Sequence, residues 1–284
     1  MNFLESVLRF LDTQATAPVP FGLFHIICLL LTAAATVLAI IFGKNANPKQ
    51  VRTIVLITAV VVTVLEIYKQ INYTFRVSDS GIVADYLWYA FPWQFCSTPM
   101  YAGLLFGLTR KGRVHHAVGA YLATYAVFAG TAVMLYPVSV FTETVGINIQ
   151  TMICHGTMIP IGALLYASGY VKAQHRTILR AACVFAVTVG IAVILNEVAH
   201  LTGLLNTDTF NMFFVSPYCE PSLPVYSLVQ PIVPFPFSLI IYILGFTAAG
   251  YILLLIPILS IRLRSRFVNK ANALTEKKKF AIMH

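Results

Sequence analysis

Apolar residues fall in seven runs, at residues 20–43, 52–74, 86–108, 115–136, 147–170, 178–203 and 236–261, separated by short polar, basic or proline-bearing stretches. A helix needs roughly 20 apolar residues to cross the ~30 Å hydrocarbon core of a bilayer. The pattern therefore predicts an all-α, polytopic membrane protein with seven transmembrane helices. Residues 1–14 differ. Phe3, Leu4, Val7, Leu8 and Leu11 recur at helical spacing while Glu5, Arg9 and Asp12 fall opposite, the pattern of a short interfacial helix. Pro18 and Pro20 separate it from the first run. The expected organisation is an N-terminal interfacial helix and linker over 1–19, a seven-helix domain over 20–261 and a basic tail over 262–284. The connection over 204–235 carries no Lys or Arg, five prolines and several aromatics. Proline denies it regular helix, and its length and apolar character predict a lid-like outer loop dipping into the interface. No internal repeat is visible.

Composition supports this picture. Of the 284 residues 58% are hydrophobic and only 10% charged, against about 25% charged in soluble domains, and the mean hydropathy is +0.80. These values exclude a water-soluble enzyme, a disordered chain and a nucleic-acid-binding domain. The net charge of +9 does not restore the last, because the basic residues sit in clusters between apolar runs. Those clusters set an orientation. Sixteen Lys and Arg follow the first, third, fifth and seventh runs, while only Arg9 and Arg76 lie on the other side. The positive-inside rule then predicts an external N-terminus and a cytoplasmic tail. Five scattered cysteines form no CxxC pair, which argues against a disulfide framework or zinc ribbon. With short loops and no targeting signal, a bacterial cytoplasmic membrane is the expected location.

Polar groups inside a span are expensive and mark function. With this orientation His25, Glu66, Lys69, Gln94, Cys96, His155, Asn196, Glu197 and His200 all fall on the order of 5–15 Å below the outer surface, at 1.5 Å per residue. One outward-facing polar chamber is expected. Each residue also has a plainer reading. Glu66 and Lys69, three apart, share a helix face and form a structural ion pair, or take part in chemistry. His25 packs helices or sits at the interface. His115 and His116 belong at headgroup level. Glu197 and His200 make a step that can hold a metal, but a second ligand set is missing, so no metal and no cofactor are expected. Cys96 and His155 occupy matching depths on the third and fifth runs, and histidine is the usual partner that turns a cysteine into a nucleophile. A buried cysteine is otherwise a small apolar residue, the reading given to Cys28, Cys154 and Cys183. Pro92 and Pro99 flank Cys96, so the helix there is expected to be kinked or partly unwound.

Four segments resemble the YwaF / transmembrane protein 164 family: LEIYKQINYTF (65–75), FPWQFCSTPMYAGLL (91–105), VMLYPVSVFTETVGINIQTMICHGTMIPIGALL (133–165) and NMFFVSPYCEP (211–221). They stand in family order over roughly residues 20–255. Animal members are described as phospholipid acyltransferases with a Cys–His pair. The resemblance implies Cys96 as nucleophile, His155 as base, and membrane phospholipids as substrate. The expected function is lipid acyl transfer or acyl hydrolysis at the outer leaflet through a thioester. Glu66 and Lys69 would assist, Lys69 at the lipid phosphate. Gln94, Asn196 or Asn211 would donate to the oxyanion, and His200 and His25 would support the chamber. The alternative is a binding or transport protein whose cavity holds a lipid or small polar ligand. A retinal photoreceptor is disfavoured because 236–261 has no lysine, and a zinc-dependent lipid hydrolase because it has no histidine there.

Overall fold

The structure is a computed structural model that describes residues 3–79, 81–203 and 209–283, with the side chains of 264 and 268–283 left out. The expected basic side chains at 264, 270 and 277–279, and loop residues 204–208, lie outside what is described. The chain is all-α apart from one hairpin: α1 (Phe3–Leu11), α2 (Leu23–Gly43), α3 (Pro48–Asn72), β1 (Phe75–Ser78), β2 (Gly81–Ala84), α4 (Thr98–Leu108), α5 (Arg113–Ala123), α6 (Tyr125–Leu135), α7 (Val145–Ala167), α8 (Arg176–Thr202), α9 (Tyr226–Val229) and α10 (Phe237–Met283). Among the described residues six helices are long and apolar enough to cross a membrane, with α5 and α6 together forming one of them. This is an integral membrane protein.

The third apolar run is where the structure departs most from a simple span. Residues 85–97 hold only a 3₁₀ turn at Trp88–Ala90, and helix begins at Thr98. The chain still passes from one end of the bundle to the other. Thr74 accepts from Asp85 and Ala90 accepts from Gln70 at one end of α3, while Gly107 lies against Leu56 further down. Fourteen residues of α3 separate Leu56 from Gln70, about 21 Å. Pro92 and Pro99 account for the unwinding, because each removes a backbone donor. The fourth run is broken as well, at Thr124 (φ −127°, ψ −76°), between α5 and α6. The seventh run continues without interruption into the basic tail as α10.

Helix starts follow local chemistry. Asn47 caps α3 by accepting from the Gln50 N–H at 3.0 Å, and the Gln50 side chain accepts from the Asn47 N–H at 2.9 Å. Pro48 stands at the first helical position, where its missing donor costs nothing. The α2–α3, α4–α5 and α7–α8 connections gather at one end of the bundle, the basic end. The other end, the loop end, carries α1, the hairpin and the 209–235 loop. There the Tyr68 hydroxyl donates to Leu11 O at 2.8 Å, fastening α1 to α3.

Helices approach closely through small residues, as is usual where no water drives association. Gly43 of α2 meets Ala167 of α7, and Gly103 and Gly107 of α4 meet Ala59 and Leu56 of α3. Gly130 of α6 lies against the carbonyl of His155. A Cβ there would also stand 2.9 Å from Met158 Cβ, so α6 would have to move off α7. We expect Gly130→Ala to cost about 1–3 kcal/mol, seen as a lowered Tm of the purified protein in detergent. α2 faces outward along most of its length, with Leu30, Leu31 and Leu38 each 65% exposed, as a lipid-contacting helix should.

The 209–235 loop goes deeper than an interface. Met212, Phe213 and Val215 are fully buried, and Phe213 packs among Phe95, Phe185 and the core aromatics. Phe213 and Phe214 both adopt left-handed backbone, φ 59° and 58°. Each such non-glycine residue costs on the order of 1–3 kcal/mol and survives only where its surroundings enforce it.

Candidate functional site

α3, the unwound entry to α4, and α7 bring the central group together. The Glu66 carboxylate accepts from the Lys69 ammonium at 2.8 Å and from Gln70 Nε2 at 2.7 Å. The same Gln70 nitrogen donates to Ala90 O at 2.9 Å, and the Tyr86 hydroxyl donates to Gln70 Oε1 at 2.5 Å. Gln70 therefore fastens the unwound segment to α3 and fixes where Cys96 sits. Cys96 occupies the turn just before α4, whose next residues Ser97, Thr98, Pro99 and Met100 are buried. Cys96 itself is half-buried as a residue, with its thiol enclosed by protein.

On α7, His155 is buried at 6% exposure. Its Nδ1–H donates to Thr151 O at 2.8 Å. That bond fixes the tautomer and leaves Nε2 with its lone pair, the form a base requires. Cys96 and His155 are not joined by any hydrogen bond among the described residues. Cys154, one residue before His155, packs with Val62 of α3 and Met100 of α4, and Gln150 Nε2 donates to its sulfur at 3.2 Å. Below these residues a small apolar cleft, about 40 Å³ in volume, opens between α3, α4 and α7, with Val62, Pro99, Met100, Cys154 and Met158 in its wall. Among the described residues no three His, Cys, Asp or Glu side chains are grouped to hold a metal.

The remaining sequence candidates sit elsewhere. Gln94, Asn196 and Asn211 are occupied by the loop. Asn196 Nδ2 donates to Met212 O at 3.1 Å and its Oδ1 accepts from Met212 N–H at 2.8 Å. Gln94 donates to Asn211 O at 3.0 Å and accepts from Phe213 N–H at 3.0 Å. Asn211 Oδ1 accepts from Ser216 N–H at 2.9 Å. With Tyr242 donating to Phe213 O at 2.9 Å, these side chains satisfy the backbone of the buried left-handed turn. His25 is fully buried, with Nε2–H donating to Met134 O at 2.9 Å and Nδ1 accepting from Phe21 N–H at 2.8 Å. His200 stacks on Tyr218 with centroids 3.5 Å apart, and Tyr218 donates to Glu197 at 2.9 Å. His116 is exposed as expected, but His115 is 1% exposed, stacked on Phe106 and bonded to Thr109 and Tyr170. His115 is covered by Phe106 of α4 and Tyr170 of the α7–α8 connection.

Sequence reasoning missed Gln150, Thr151 and Cys154 as members of the central group. Their spacing carried a signal: Gln150–Cys154 and Thr151–His155 are both i, i+4 pairs, which face one another on a helix.

A family model described as TMEM164 family matches residues 20–257 of the chain. No curated protein and no solved structure matches it.

Proposed function

The chain belongs to the TMEM164 family, and from that premise we propose that it is a lipid acyltransferase or acyl hydrolase working through Cys96 and His155, with the loop end facing outside. The host membrane we propose is a bacterial cytoplasmic membrane. Membrane phospholipids are the substrate. The observation that supports the reading is the packing of the α4 entry on α7: Met100, four residues after Cys96, clusters with Cys154, the neighbour of the tautomer-fixed His155, and both line an apolar cleft.

In the reaction, His155 Nε2 takes the Cys96 proton and the thiolate attacks the ester carbonyl carbon. The S–C bond forms, and the oxyanion is met by Lys69, which has donors to spare beyond its bond to Glu66. Collapse breaks the ester C–O bond, and the leaving alcohol takes the proton from His155. A second alcohol, or water, then gives its proton to His155 and attacks the thioester. The C–S bond breaks and the thiol returns. The proton transfers require His155 Nε2 to reach the sulfur, directly or through one water.

The test is turnover of phospholipid with a labelled acyl chain by the purified protein. His155→Gln keeps the side-chain volume and removes the base. A fall of roughly 10²–10⁴-fold is expected, with the Tm kept. Turnover undiminished in a folded His155→Gln protein would remove His155 from the mechanism.

A further inference from the structure

A second cleft, of about 740 Å³ including its open mouth, lies at the basic end, far from Cys96. His116 of α5, Tyr170, Lys172 and Gln174 of the α7–α8 connection, and Thr177 and Arg180 of α8 form its rim, over a floor of Ala120 and Val171. We propose that this cleft binds a phosphate-bearing anion, and that α5, α8 and their connection form a headgroup site on the membrane face opposite the Cys96 group.

The argument begins with charge. Lys172 and Arg180 bring two permanent positive charges to one cleft. Among the residues whose side chains are described, every Asp and Glu lies at the loop end, in a loop-end segment or in the loop-end part of its helix. The Lys69–Glu66 ion pair is also at the loop end. Among the described residues no Asp or Glu pairs with Lys172 or Arg180, and both are exposed and open to an anion. An arginine fork and a lysine ammonium on one rim are the groups that phosphate oxygens select.

The walls are held in advance of any ligand. Thr177 Oγ1 donates to Lys172 O at 2.6 Å, Gln174 N–H to the same carbonyl at 3.0 Å, and Thr177 N–H to Gln174 O at 2.9 Å. These bonds curl the connection into the start of α8 and hold Lys172 at the rim. The Tyr170 hydroxyl is bonded to His115 Nε2 at 2.8 Å, and His115 Nδ1 to Thr109 at 2.9 Å. α8 begins at Arg176, so its positive dipole end adds to the two side chains. The apolar floor below a cationic rim matches a glycerophospholipid, whose phosphate sits at the interface and whose chains lie below. Basic pockets between spans are a recognised form of anionic-lipid site. A soluble phosphate ester would satisfy the same rim.

Native mass spectrometry of the full chain in a neutral detergent tests this. The probe is phosphatidylglycerol, with phosphatidylcholine as the zwitterionic comparison. We expect retained phosphatidylglycerol to fall about tenfold in the double variant Lys172→Gln/Arg180→Gln. It should be unchanged in Lys44→Gln/Lys49→Gln, which removes the same charge from the same face outside the cleft. Lys172→Arg/Arg180→Lys should keep most of the binding, separating charge from a fold defect. Displacement by millimolar glycerol 3-phosphate assigns the site to a soluble phosphate ester, and resistance to it assigns the site to the lipid. Equal retention in the two neutralised proteins, or equal retention of the two lipids by the wild type, overturns the proposal.

Discussion

Cys96→Ala is expected to lower phospholipid turnover by roughly 10³-fold or more, the scale on which removing a covalent nucleophile acts, while leaving the Tm close to wild type. The small thermal effect follows from where the residue sits. Cys96 is half-buried in a turn, and no backbone bond or ion pair of the fold depends on its sulfur. Alanine removes one atom there and leaves the Glu66–Lys69 pair and the Gln70 bridge to Ala90 in place. The two quantities therefore separate: activity collapses and stability does not. A protein that only binds lipid would keep its ligand in Cys96→Ala, so binding measured beside turnover distinguishes a catalyst from a carrier.

The opposite split is expected for Asn196→Leu. The leucine side chain has nearly the same shape but no donor or acceptor, and it faces the N–H and carbonyl of Met212, a fully buried residue. Each group left unpaired costs about 1–3 kcal/mol. The left-handed Phe213 and Phe214 are held in part by the same contacts, so their backbone strain is released when the anchor goes. The Tm should fall by several degrees, and turnover should fall with it, because Phe213 packs against Phe95, the residue before Cys96. Val198→Ala, at a site 52% exposed on the same helix, should change stability by no more than about 0.5 kcal/mol. Similar Tm values for the two variants would mean that the loop is not anchored through Asn196.

These two contrasts also show what a linear chain reveals. The long apolar runs were legible because hydrocarbon imposes one requirement, a length of apolar helix, and α2, α3, α7, α8 and α10 meet it. The unwinding before α4 was legible from Pro92 and Pro99. The break at Thr124 was not, since no proline or glycine marks it. The hairpin at 75–84 was passed over because four-residue strands beside a long helix leave a weak alternation. Counting along the runs puts Glu66, Lys69, Cys96 and His155 at one expected depth, and in the structure they lie on α3, the α4 entry and α7. What depth cannot tell is which way an amide points. Gln94, Asn196 and Asn211 lie at the same level as Cys96, yet they serve the backbone of a loop whose partners are 5 to 119 residues away in sequence. Such long-range satisfaction of buried backbone groups has no local signature.

The central claim is that an acyl group passes through the sulfur of Cys96. Intact-mass analysis of the purified protein after incubation with phospholipid, followed by peptide mapping, reads this directly. The account predicts a mass increase equal to one acyl chain, carried on the peptide containing Cys96, removed by hydroxylamine and absent from Cys96→Ala. An adduct on Cys154 instead, or phospholipid turnover that continues undiminished in Cys96→Ala, would contradict it.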